Sequence, residues 1–146
     1  MVNKLQSRPS VHHRLNPMNW NPETKRVTFY RLKRLIARRK FDEGLNFARN
    51  FNLDGQLVHT ARATHLTQQL SVWSTAITEE LLDAKYEEWQ ATLDCITDIR
   101  FIVECCLKFA PSRVEFIRNS LAYARKRLDL YKTSDQVSVH LFHYHI

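Results

Sequence analysis

The side chains with the greatest chemical reactivity in this sequence are its three cysteines. Cys105 and Cys106 are adjacent, so they could form a redox pair or supply a nucleophilic thiolate. Cys106 lies on the apolar stripe of a predicted helix and Cys105 flanks it, and buried cysteines usually behave as small hydrophobic residues. With Cys95, the three form no even, spaced disulfide framework, which indicates a reduced, intracellular protein. We therefore interpret the pair as packing residues.

Histidines are the second candidate group, because they could bind a metal. His140, His143 and His145 lie within the last seven residues, but a zinc site needs about four ligands in fixed geometry and no cysteine lies nearby. His59 and His65 share a predicted helix, yet a spacing of six residues places them on different faces. The sequence therefore predicts no metal site.

Motifs of enzymatic chemistry are absent from the sequence. It contains no paired carboxylates, no glycine-rich phosphate loop and no nucleophile elbow. Acidic residues are concentrated in residues 79–104, and we interpret them as a solvated face. The sequence thus predicts a protein that is not an enzyme and needs no cofactor.

Basic residues are concentrated at one end of the chain. Residues 1–40 contain eleven Lys and Arg against one acid, Glu23, whereas residues 41–146 contain more acids than bases. Such asymmetry favours an anionic partner such as nucleic acid or a membrane surface. Six side chains on a predicted helix could contact phosphates, with Tyr30 available for stacking: Arg31, Lys33, Arg34, Arg38, Arg39 and Lys40. A solvated basic helix is the alternative, which we favour because no recognised nucleic-acid-binding motif accompanies the charge.

The elements that must position these groups are predicted to be all-α. Two glycines and four prolines in 146 residues are too few for the turns of an antiparallel sheet protein. Apolar residues at helical spacing predict about six helices over residues 22–131. Short loops would arrange them in stacked antiparallel hairpins, as an α-solenoid fragment or a small irregular bundle. Residues 1–21 read as a disordered polar leader. Residues 132–146 alternate apolar and polar side chains like a strand, and we predict an irregular, non-helical tail. No apolar run is long enough to cross a bilayer.

Local signals set the expected helix ends. Asn21 and Pro22 begin the first helix, Asp54 is placed to cap the third, and Asp98 is placed to cap the fifth. The fourth helix is expected from about residue 76 to residue 97. Ser112 to Glu115 has the spacing of a capping box for the sixth helix.

Apolar stripes set the expected core. Trp89 and Leu93 on the fourth helix are predicted to pack against the fifth and sixth helices, and Gly44 is expected to let a neighbouring helix approach closely. On the first helix the expected stripe is Phe29, Leu32 and Ile36. On the sixth it is Val114, Ile117, Leu121, Ala124 and Leu128.

Longer runs of the sequence resemble a known family. Their most specific pieces are Phe51–Val58 (FNLDGQLV), the tripeptide at residues 88–90 (EWQ) and Phe101–Lys108 (FIVECCLK). The sequence over roughly residues 41–128 resembles the Rod (rough deal) family of kinetochore proteins.

The resemblance implies a fold and a role. Members of the family carry an N-terminal β-propeller and a long α-solenoid, and they assemble with Zwilch and Zeste-white-ten into the RZZ complex. That complex resides at unattached kinetochores in mitosis, recruits dynein through Spindly and supports the spindle assembly checkpoint. The implied function is therefore a non-enzymatic scaffold fragment from the helical region that follows the propeller, found in the cytoplasm and at kinetochores. The alternative is a small basic helical protein that binds nucleic acid or an anionic membrane through its first helix.

Overall fold

The computed structural model describes residues 21–71 and 78–144, with side chains described as far as Gln136. Within these ranges the chain forms helices and no strand, which confirms the all-α prediction with about six helices. The helices are α1 (Pro22–Ala37), α2 (Phe41–Asn50), α3 (Gln56–Gln69), α4 (Glu79–Asp94), α5 (Ile99–Lys108) and α6 (Val114–Tyr144). None of these helices is both long enough and apolar enough to span a membrane. The predicted leader falls almost entirely outside the described ranges.

Side-chain caps begin three of the helices where the sequence predicted them. The Thr24 amide donates to Asn21 Oδ1 at 2.7 Å, and Pro22 follows in the first turn of α1. The Gln56 amide donates to Asp54 Oδ1 at 2.9 Å, and Asp98 accepts from two amides at the start of α5. These bonds satisfy amides that have no partner inside their own helix.

Two boundaries differ from the prediction. α4 spans Glu79–Asp94, shorter at both ends than the expected helix over residues 76–97. α6 begins at Val114, one residue later than a cap at Ser112 requires. Helix ends depend on short-range competition among several partners, so a stripe predicts them less well than it predicts the helix itself.

The prediction of a non-helical tail is wrong for residues 132–144, because α6 continues to Tyr144. No glycine or proline follows Pro111, so nothing in the sequence stops the helix. Extending an existing helix adds about one hydrogen bond for each residue fixed, whereas a lone strand has no partner with which to pair. The short alternating run therefore adopts the helical conformation of the residues that precede it.

The chain forms two compact units, Met1–Val58 and His59–Ile146, and the boundary between them lies within α3. In the first unit, α1 packs against α2. Its core is Leu32, Ala48 and Val58, with Ile36, Phe41, Leu45, Phe47 and Leu53 packed against them. Phe29 is 38% exposed, contrary to the prediction, and Thr28 takes the buried position. Thr28 can be buried because its hydroxyl donates to the Thr24 carbonyl at 2.7 Å.

Gly44 is buried in the same core, but steric crowding does not require glycine there. A Cβ at this position would lie 3.5 Å from Val58 Cγ1 and 3.9 Å from Leu32 Cδ1, which are ordinary van der Waals distances. The neighbouring side chains are close, as expected, yet they leave room for one methyl group.

The core of the second unit surrounds Trp89, which is fully buried, as is Leu93 one turn later. The Trp89 ring stacks on Phe109 at a centroid distance of 4.4 Å, and the Tyr86 ring stacks on Phe116 of α6 at 4.4 Å. Stacked pairs of this kind add about 0.5–1.5 kcal/mol beyond the area that they bury. The structure thus confirms that the apolar stripe of α4 is a core stripe.

The side of α6 that faces this core matches the predicted stripe only in part: Ala124 is buried as predicted, but two residues outside the stripe, Phe116 and Ser120, are buried with it. The buried residues are Phe116, Ser120 and Ala124, whereas Val114 and Leu121 are exposed. Ser120 is tolerated in the core because its hydroxyl donates to the Ile117 carbonyl at 2.8 Å. The pairing of Phe116 with Tyr86 fixes which side of the helix turns inward.

We expect Leu93→Ala to lower the free energy of unfolding by about 2–5 kcal/mol, because it removes a fully buried side chain and leaves a cavity. Urea denaturation followed by circular dichroism measures this value. Leu107→Ala is the matched control, since Leu107 is 69% exposed, and it should change stability by less than about 0.5 kcal/mol. Equal effects for the two variants would contradict the assignment of the core.

We expect Gly44→Ala to raise the free energy of unfolding by about 0.5–1 kcal/mol, because alanine favours the helix and its methyl group fits. Gly44→Val should be destabilising, since its extra methyl groups would overpack the contact with Val58. The same denaturation assay distinguishes them. A loss of stability with alanine would show that the approach is tighter than these distances indicate.

Candidate functional site

The six predicted basic residues are all exposed, but they do not form one surface. Arg31, Arg34 and Arg38 occur at a spacing of three and four residues, so they follow one side of α1. Lys33 is about 200° around the helix from Arg31, at 100° for each residue. The helix therefore brings three of the six together.

Three of the basic side chains already have local partners. The Arg31 guanidinium lies 5.6 Å from the centre of the Phe47 ring, and the Lys33 ammonium lies 4.8 Å from that of Phe29. Lys40 Nζ is 3.7 Å from Glu43 Oε1. Exposed contacts of this kind contribute little to stability, about 0–1 kcal/mol each, so they orient these side chains more than they stabilise the fold.

Arg39 adopts a backbone conformation that is unusual for arginine. Its φ angle is 60°, in the left-handed region. The Arg39 amide donates to the Ile36 carbonyl at 2.9 Å and the Lys40 amide donates to the Leu35 carbonyl at 3.0 Å. These two bonds are those of the Schellman motif, which ends helices and usually places glycine at this position. The turn therefore holds Arg39 outward at a conformational cost of about 1 kcal/mol.

The cysteine pair does not provide a nucleophile. Cys105 and Cys106 are both buried, as predicted. Burial raises the pKa of the Cys105 thiol, although a hydrogen bond with Thr67 opposes the shift. Burial and then the neighbouring Cys105 raise the pKa of Cys106 to about 12. Both groups therefore stay protonated near neutral pH, and the thiol is the weaker nucleophile.

The histidines supply no metal site in the part of the chain that the structure describes. Burial, followed by the charge of Arg62, lowers the pKa of His59, so that imidazole is neutral at pH 7. The side chains of His140, His143 and His145 fall outside the described residues. Across the residues that are described, no three potential ligands lie close enough to hold a metal ion.

A polar network that sequence reasoning missed joins α6 to the end of α4. Arg127 donates to the carbonyls of Leu93 at 3.2 Å and Ile96 at 2.7 Å. The Tyr123 hydroxyl donates to Asp94 Oδ1 at 2.6 Å and lies 2.9 Å from Arg127 Nη1. Leu93 lies in the last turn of α4 and Ile96 lies just beyond it, so Arg127 of a distant element adds hydrogen bonds at the end of this helix. No signal in the sequence pairs residues this far apart along the chain.

Two open grooves lie on the surface of the second unit, His59–Ile146. The larger, about 590 Å³, lies between α4 and α6 beside Asp94 and Tyr123. The smaller, about 340 Å³, lies between α3 and α5, with Phe101 and Cys105 at its apolar side. The larger groove is lined by polar and aromatic side chains of α4 and α6, and the smaller one by polar side chains of α3 and by residues of α5.

A partly buried ion pair also joins α3 to α4. Arg62 Nη2 lies 2.9 Å from Glu88 Oε1, and Lys85 Nζ lies 3.3 Å from Glu88 Oε2. Burial alone would raise the pKa of Glu88, but the hydrogen bond from Arg62 and the charge of Lys85 outweigh it and lower that pKa. Glu88 therefore stays ionised and binds two helices together, which is a structural role.

Comparisons with known proteins agree with this architecture. Residues 34–143 match a family described as the KNTC1 first ARM-repeats domain. Over 105 residues, 67% of this chain, the sequence is 32% identical to kinetochore-associated protein 1 of Homo sapiens and 31% identical to that of Mus musculus. The chain spans only 4% of the length of each of these relatives. No solved structure matches it.

The family match also revises the extent of the resemblance. It reaches residue 143, beyond the predicted end at Leu128, so it includes most of the segment for which the sequence predicted an irregular tail. That segment continues α6, and the match and the helix end within one residue of each other. Because the match covers about three-quarters of the residues, the chain belongs to the family of the KNTC1 first ARM-repeats domain.

Proposed function

We propose that the chain is a non-enzymatic interaction module of a kinetochore scaffold. The observation that carries the proposal is the family match over residues 34–143, together with the relatives' name, kinetochore-associated protein 1. The helical architecture of the described residues supports it, because six helices without a strand are what a helical-repeat module requires.

The finer role that we propose follows the Rod family. The chain would contact Zwilch, Zeste-white-ten or other components of the RZZ complex, and would reside in the cytoplasm and at kinetochores in mitosis. The checkpoint signal and the recruitment of dynein through Spindly would need the rest of the scaffold, since the chain spans 4% of the related proteins.

We expect a fluorescently tagged chain to accumulate at unattached kinetochores and to recover Zwilch or Zeste-white-ten from mitotic cells. In cells depleted of Rod it should not restore mitotic arrest in a spindle poison. Leu93→Ala should reduce both localisation and recovery if the folded surface is responsible, while Leu107→Ala should leave both unchanged. Failure to localise and to recover either protein would contradict the proposal, and restored arrest would contradict the assignment as a fragment.

A second function that we propose is weaker binding of an anionic polymer by α1. The observation in its favour is that Arg31, Arg34 and Arg38 share one exposed side of the helix, next to the outward-held Arg39. Such a surface neutralises phosphates, which releases counterions and makes the affinity depend on salt.

We expect generic duplex DNA to bind weakly at low salt and to dissociate as salt rises. Arg34→Gln with Arg38→Gln should reduce the slope of log affinity against log salt by about one for each phosphate that is no longer neutralised. Fluorescence anisotropy of a labelled duplex measures this slope. Arg100→Gln on α5 is a matched control with an exposed arginine elsewhere. An unchanged slope in the double variant would show that α1 is not the binding surface.

A further inference from the structure

Part of the apolar stripe that the sequence assigned to the core of α6 lies uncovered. Val114, Leu121 and Leu128 recur every seven residues, about two turns, so they follow one side of the helix. Val114 is 68% and Leu121 is 47% exposed, and Leu128 is only partly buried. The core uses Phe116 and Ser120 together with Ala124, which is the buried member of the predicted stripe. α6 therefore has one apolar side that packs in its own unit and a second one that does not.

A basic row runs beside this uncovered apolar row. Arg118, Arg125 and Lys132 also recur every seven residues, and each follows an apolar residue by four positions. A spacing of four places each base about 40° around the helix and one turn onward. All three are exposed. The exposed acid Asp129 lies four residues after Arg125 and three before Lys132, but within the residues whose side chains are described none of the three bases forms an ion pair. The bases are thus available to a partner.

The geometry points to a partner helix that is amphipathic and acidic. We propose that the uncovered row of α6 binds such a helix from another protein, with apolar residues at heptad spacing and Glu or Asp on the flank that meets the bases. Seven-residue repeats pair with helices of the same repeat, and flanking charges select the partner. This inference rests on the proposed role as an interaction module and identifies the surface that it uses.

The charges argue against a second copy of α6 as the occupant. In an antiparallel pairing, the basic row of one α6 would face the basic row of the other. Like charges placed opposite each other across an interface are destabilising and exclude wrong partners. An acidic flank on the partner removes this conflict and adds favourable pairs.

The test uses a synthetic probe and the full chain. The probe is a labelled helical peptide of about four heptads. In each heptad, leucine occupies one core position and glutamate occupies the positions on both sides of it. A second peptide carries lysine in place of every glutamate. Fluorescence anisotropy at low salt should show binding of the acidic peptide only.

Variants on α6 locate the binding surface. Leu121→Ser should weaken binding of the acidic peptide by about tenfold or more, as expected for an apolar anchor. Arg125→Glu should weaken it as well and should allow the lysine peptide to bind. Leu107→Ser and Arg100→Glu are the matched controls on exposed positions of α5, and they should change neither affinity. Circular dichroism should show that all four variants keep their helical content.

Three results would overturn the inference. The first is an absence of acidic-peptide binding by the folded chain. The second is binding that both α6 variants leave unchanged, which would assign it to the basic N-terminal region. The third is a dimer in sedimentation that Leu121→Ser abolishes, which would make a second copy the occupant. If the chain still localises to kinetochores and recovers Zwilch or Zeste-white-ten, the proposed function stands without this surface.

Discussion

The indole of Trp89 is the contact on which the second unit depends. It is fully buried, its Nε1 donates to Thr67 Oγ1 on α3 at 2.9 Å, and its ring stacks on Phe109 after α5. Thr67 can accept this bond because its own hydroxyl proton goes to the Ala63 carbonyl at 2.7 Å. A buried indole without an acceptor would carry a desolvation cost of about 1–3 kcal/mol. One side chain therefore fixes the distance and the rotation of α4 relative to α3 and to the start of the α5–α6 connection.

The orientation of α6 follows from two contacts that act on the same side of the helix. Phe116 stacks on Tyr86 near the beginning of the packed segment, and Arg127 reaches the carbonyls at the end of α4 three turns later. These anchors place a serine in the core and leave leucines outside. An arginine that caps a distant helix can outweigh a more apolar stripe, because uncapped buried carbonyls cost more than an exposed leucine does. The same rotation leaves Val114 and Leu121 exposed.

Helix ends in the first unit show a similar compromise. Arg39 and Asn52 both take left-handed backbone angles in Schellman turns, one after α1 and one after α2. Asparagine tolerates this conformation, while arginine gains nothing from it locally. At Asn52 the following residue, Leu53, returns to the core cluster, so packing offsets the strain of the turn. At Arg39 the turn instead places an exposed, charged side chain at the end of α1, next to Arg38.

The sequence by itself determined the helices, their caps and much of the core. Asn21, Asp54 and Asp98 act on amides two or three residues away, so adjacent residues suffice to predict them. Trp89 and Cys106 could be assigned to the core because one regular stripe dominates each of their helices. Tertiary structure alone decided that Phe116 and Ser120 of α6 are buried while Leu121 is exposed, and that Gly44 leaves room for a methyl group. Each of these depends on contacts between residues far apart in the chain or on a competition between alternative packings. A periodic pattern of apolar residues carries no information about either. The apolar row of Val114 and Leu121 was therefore visible in the sequence, but only the packing of Phe116 and Arg127 decided that it faces outward.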